Sequence, residues 1–115
     1  MPSLTIHTNI HLEGFDTEQL LQKATHLVAN ALGKSSDYIM VRLEARSHLL
    51  FAGTNDPAAF VELISLSLPD DAPAPLTEKL CHFLKVELGI RPERVYLHFP
   101  QVPRSHFGWN GKTFG

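Results

Sequence analysis

The sequence predicts an α/β (α+β) fold: duplicated βαβ units that form a four-stranded mixed sheet with two helices on one face. Two apolar stripes of helical period each end at a glycine and lead into an alternating, strand-like run. A shift of 56 residues superimposes them, carrying Leu20, Ala24, Leu27, Val28 and Leu32 onto Leu76, Leu80, Phe83, Leu84 and Leu88. The same shift carries Gly33 onto Gly89, Asp37 onto Glu93, and Ile39, Val41 and Leu43 onto Val95, Leu97 and Phe99. Such self-similarity is the mark of a repeated supersecondary unit. The 115 residues suit one domain, 1–115, with pseudo-repeat halves about 1–56 and 57–115.

Each element has a local reason. Ser3 to Thr8, with Leu4 and Ile6 apolar, reads as the first strand. Asp16 with Gln19 three residues on reads as an N-cap and its capping-box partner, and Gly33 closes the helix. Ile39, Val41 and Leu43 alternate with Met40, Arg42 and Glu44, a half-buried second strand. Ala58 to Leu68 supplies the third strand, and 68–75, rich in Pro and Asp, is turn chemistry with mobile character. The second stripe, Leu76 to Leu88, gives the second helix, and Val95 to Phe99 the fourth strand. Phe107, Trp109 and Phe114 stand in a tail punctuated by Pro103, Gly108 and Gly111, and so many aromatics point to packing, with a neighbouring subunit as one candidate surface. Parallel strands joined through a helix leave one sheet face bare and its edges unpaired, so the chain is expected to assemble with copies of itself.

Composition narrows the function. Ten Lys+Arg against twelve Asp+Glu give a net charge of −2, which argues against nucleic acid and anionic membrane as partners. No apolar run reaches the ~18 residues of a membrane span. Cys81 stands alone, which removes disulfide frameworks and cysteine zinc sites, and its place in the second stripe suits a core residue. The seven histidines are scattered without ligand spacing, so no metal is expected. No G-x-S-x-G elbow accompanies a serine. The start Met1-Pro2-Ser3-Leu4 has no basic region and no long apolar core, so no secretory signal is expected and the location reads as cytoplasmic.

Two residues offer chemistry. Removal of Met1, usual when proline follows, would leave Pro2 as a secondary amine. An α-amino group titrates near 7.7–8.0, and an apolar pocket or a nearby cation lowers that toward the range of a working general base. The plain alternative is that Pro2 is a common second residue. Lys34, just past Gly33, suits either the dipole at the helix end or the holding of a carboxylate or incipient enolate.

Pro2, Thr8-Asn9, Gly33-Lys34, Asp37-Tyr38-Ile39, the run from Phe51-Ala52-Gly53 to Asp56-Pro57, Arg91-Pro92-Glu93-Arg94-Val95-Tyr96 and the closing Gly108-Trp109-Asn110-Gly111-Lys112-Thr113-Phe114 follow one another in a familiar order. The chain resembles the macrophage migration inhibitory factor family, D-dopachrome tautomerase included, across essentially its whole length. The resemblance implies a homotrimer with a trimeric tautomerase-like fold and active sites between subunits. It implies an isomerase, a keto–enol tautomerase for phenylpyruvate-type small aromatic keto acids, that needs no cofactor. On that resemblance Pro2 is the catalytic base and Lys34 holds the carboxylate. Ser65 and Leu66 stand for the family's Ser-Ile pair, Tyr96 is lent by a neighbouring subunit, and Phe99 and Phe114 wall the pocket. Two departures stand out. His98 replaces the family's asparagine two residues beyond the tyrosine, a bulkier donor that can carry charge. The family's C-x-x-C is Ala58-Ala59-Phe60-Val61, so its thiol redox activity cannot reside there. The alternative in the same family is a cytokine-like, receptor-binding trimer with a vestigial tautomerase pocket, leaving cells by unconventional secretion. Hydration or dehalogenation of unsaturated acids, as in sister families, uses arginines beside the proline, and no arginine is placed there by spacing.

Overall fold

The computed structural model describes all of residues 1–115. Strand β1 (Pro2–Thr8) leads into helix α1 (Thr17–Leu32) and strand β2 (Met40–Glu44), with a 3-10 turn at Ser36–Tyr38 between them. Strand β3 (Ala59–Ser65), helix α2 (Pro73–Leu88) and strand β4 (Val95–His98) repeat the order, again with a 3-10 turn, Pro92–Arg94, ahead of the last strand. A further 3-10 turn at Arg104–His106 precedes a short hairpin of β5 (Gly108–Trp109) and β6 (Lys112–Thr113). The four-stranded sheet runs β2-β1-β3-β4, parallel within each βαβ unit and antiparallel where β1 meets β3.

The helices form as their sequences direct. The Asp16 side chain accepts from the Gln19 N–H, and Gly33 closes α1 with φ 63°, a left-handed cap that suits glycine. Leu20, Ala24 and Val28 of α1 and Leu76, Leu80, Phe83, Leu84 and Leu88 of α2 are buried against Leu4, Ile6, Ala59, Val61, Leu63 and Val95 of the sheet. The other sheet face carries Ser3, Thr5 and His7, then Met40, Arg42 and Glu44, then Phe60, Glu62 and Ile64, and finally Tyr96 and His98, because successive strand residues alternate sides. No helix covers that face. No helix is long and apolar enough to cross a membrane.

Three expectations need correction. The third strand stops at Ser65, because Ser67 turns the chain at φ 58°. The Pro-rich loop is shorter than expected: α2 begins at Pro73, whose fixed φ suits a first helical turn that needs no N–H from it. Phe99 lies beyond β4 and packs against the core. The tail aromatics do pack, Trp109 edge-on to Tyr38 at 5.7 Å and Phe107 against Phe114 at 6.1 Å. Cys81 is half-buried against the core, which pushes its thiol up from the ordinary value.

Candidate active site

The start of β1 and the end of β3 lie side by side, since Pro2 pairs with Ser65 in the antiparallel register. Pro2 is fully buried and Ser65 nearly so. Lys34 reaches the same point from the far end of α1. The left-handed turn at Gly33 lets the Lys34 N–H close on the Ala29 carbonyl at 3.1 Å, and the side chain then runs to β3. Its Nζ donates to Ser65 Oγ and to the Leu66 carbonyl, both at 3.2 Å. A lysine that could have stayed in solvent beside the helix dipole is instead tied to the sheet.

The electrostatics follow from that placement. The Met1 amino group is pushed down from the ordinary 8.0, first by desolvation, then by the Lys34 charge and a hydrogen bond from Lys34. Burial and a neighbouring cation both disfavour an ammonium, so an amine here holds its proton weakly. Beside it opens a cavity of about 180 Å³ lined by Met1, Pro2, Ser3, Tyr38, Met40, Phe107 and Trp109 among others. A larger open groove, about 710 Å³ around Asn9, His48 and Leu50, holds no such amine and belongs to another part of the surface.

Pro2, Lys34, Ser65 and Leu66 are therefore gathered, and the remaining candidates are not. Tyr96 pairs with Phe60, five residues along β3 from Ser65. At about 3.3 Å per residue it stands roughly 17 Å down the strand from Pro2 of its own chain. His98 pairs with Glu62 and its Nδ1 lies 3.1 Å from Glu62 Oε2. Phe114 backs Phe107, its N–H donating to the carbonyls of Phe107 and Arg104, so it reaches the cavity only through that neighbour. Phe99, in the core packing, is not part of the cavity. Tyr38, Met40, Phe107 and Trp109 line the cavity without having been singled out as site residues. The aromatic content of the tail was their one visible signal.

An amine that deprotonates readily, a fixed ammonium beside it and a small aromatic-walled cavity can together accept a proton from a carbon acid and hold its anion. Residues 1–115 match the macrophage migration inhibitory factor family. A macrophage migration inhibitory factor homologue of Trichinella spiralis is 34% identical over 115 residues, covering 99% of this chain and 100% of that protein. The macrophage migration inhibitory factor of Mus musculus is 35% identical, covering 99% of each. The crystal structure of a homologue from Prochlorococcus marinus superimposes with a TM-score of 0.92 at 32% identity, over 98% of this chain and 99% of that one. The chain belongs to the macrophage migration inhibitory factor family.

Proposed function

We propose that this protein is a cofactor-independent keto–enol tautomerase for phenylpyruvate-type aromatic keto acids, with Pro2 as its general base once Met1 is removed. The observation that carries the reading is the convergence of Pro2, Ser65 and the Lys34 ammonium beside an aromatic-walled cavity that Met1 and Pro2 line. With Met1 attached, the Pro2 nitrogen is an amide and has no basic lone pair. Freed, it is a secondary amine at the start of β1, opposite Ser65 and the Lys34 ammonium that Ser65 holds.

In this reading the substrate carboxylate pairs with the Lys34 ammonium, and its ring lies among Tyr38, Phe107 and Trp109. The neutral Pro2 nitrogen takes the proton from the carbon alpha to the ketone, and the electron pair moves onto the oxygen as an enolate. The same proton returns at oxygen to give the enol, and the reverse path runs through the same amine. Lys34 stabilises the developing negative charge beside the amine. Positioned proton transfer contributes about 10²–10⁴-fold.

The reading includes a homotrimer of residues 1–115 acting as one domain. A bare sheet face, unpaired edges at β2 and β4, and a Tyr96 remote from its own Pro2 all fit sites completed by a neighbour's Tyr96 and His98. Phe114 then supports the pocket wall through Phe107. A cytoplasmic setting suits small keto acids as substrates. In a Met1-free preparation, Pro2→Gly should lower kcat for phenylpyruvate by about 10²–10⁴-fold with the fold intact, and full turnover by that variant would refute the role of Pro2.

A second reading rests on the relatives' names, which denote an inhibitory factor of macrophages. There the assembled surface binds a receptor and the pocket is vestigial. Receptor binding undiminished in Pro2→Gly, together with no turnover by the unaltered protein, favours it.

A further inference from the structure

Arg94 is a buried cation, 5% exposed, that contacts no acidic group. Its guanidinium is satisfied wholly by backbone. Nε donates to the Pro57 carbonyl at 3.0 Å, Nη1 to Phe51 at 3.0 Å, and Nη2 to Thr54 at 3.2 Å and Asp56 at 3.0 Å. Asn9 grips the same loop from the other side, its Nδ2 donating to the Asn55 and Asp56 carbonyls and its Oδ1 accepting from the Ala58 N–H. Burying a charge is costly unless hydrogen bonds replace its water. Here that cost is met for a loop, 52–57, that is exposed throughout and buries nothing of the core.

What the loop carries is Phe51. The Arg94 guanidinium lies 5.3 Å from the centroid of the Phe51 ring, a cation–π distance. Phe51 in turn meets the Tyr96 ring edge-on, 4.8 Å between centroids. Tyr96 is 64% exposed and projects from the uncovered sheet face, where no helix restrains it. Phe51 is the aromatic partner that limits where its ring can go.

We infer that Arg94, acting through Phe51, is a positioning residue that presets the Tyr96 ring for the neighbouring subunit's pocket. This rests on the reading of Tyr96 as a pocket residue. A preset ring costs less ordering when substrate binds, so the effect belongs in KM and not in the proton-transfer step.

The experiment uses the Met1-free, assembled protein. Phe51→Leu keeps the loop's clamp and removes the ring, and Arg94→Lys keeps the charge and removes the fork. Each should raise KM for phenylpyruvate about two- to tenfold, the worth of one aromatic pair, with kcat within about twofold. In a Tyr96→Ala background, Phe51→Leu should add nothing further. An unchanged KM, or effects that multiply in the double variant, overturns the inference and leaves Arg94 a structural clamp. If the unaltered protein does not turn over phenylpyruvate, the tautomerase reading fails separately. The ring signals of Tyr96 in NMR spectra then decide the positioning role: they should shift in both single variants, and unchanged signals overturn it.

Discussion

Lys34 joins two links that the site needs. Its Nζ ties the end of α1 to Ser65 and Leu66 at the end of β3, and its charge bears on the amino terminus. Lys34→Ala should therefore act twice. KM for a keto acid rises because the carboxylate loses its cation. The acid limb of kcat/KM moves to higher pH because the amine, freed from a nearby positive charge, binds its proton more tightly and becomes a free base only in more alkaline solution. A pH–rate profile of Lys34→Ala against the unaltered protein checks both. An acid limb that stays in place would separate Lys34 from the amine.

At the scale of elements, the site depends on how α1 ends. Gly33 sits at φ 63°, and a Cβ there meets nothing within 4 Å, so the cost of Gly33→Ala is backbone strain alone. We expect about 1 kcal/mol of lost stability, read as a lower urea midpoint with an unchanged m value, together with a raised KM as Lys34 shifts. The glycine stop and both apolar stripes were legible in the sequence because local periodicity and capping fix them. Pro2 and Lys34 were marked by their own chemistry and Ser65 and Leu66 only through a resemblance, and the register Pro2 to Ser65 is what brings them together. The start of α2 was hidden because Ala72 makes no side-chain cap and prolines read equally as turn residues. Tyr38, Met40, Phe107 and Trp109 were illegible as a group, since a tail folding back on β2 leaves no periodic trace. The clamp by Arg94 joins residues about 40 positions apart in sequence, beyond any local pattern.

For the whole molecule, the proposed site draws on two subunits, a reading that the bare sheet face and the distance between Pro2 and Tyr96 support. Chains carrying Pro2→Gly and chains carrying Tyr96→Ala should each be weak alone. Dissociated, mixed in equal parts and reassembled, they should recover about a quarter of the sites in a cyclic trimer, as one unaltered Pro2 meets one unaltered Tyr96. A mixture no more active than the mean of its parents places the site within one chain. Deeper than assembly lies the basicity of one nitrogen. The direct measurement is an NMR titration of the Pro2 nitrogen in Met1-free protein, with and without Lys34. It should titrate lower in the folded protein than in the unfolded chain, and rise in Lys34→Ala. A midpoint equal to that of the unfolded chain and indifferent to Lys34 would contradict a buried, cation-flanked base.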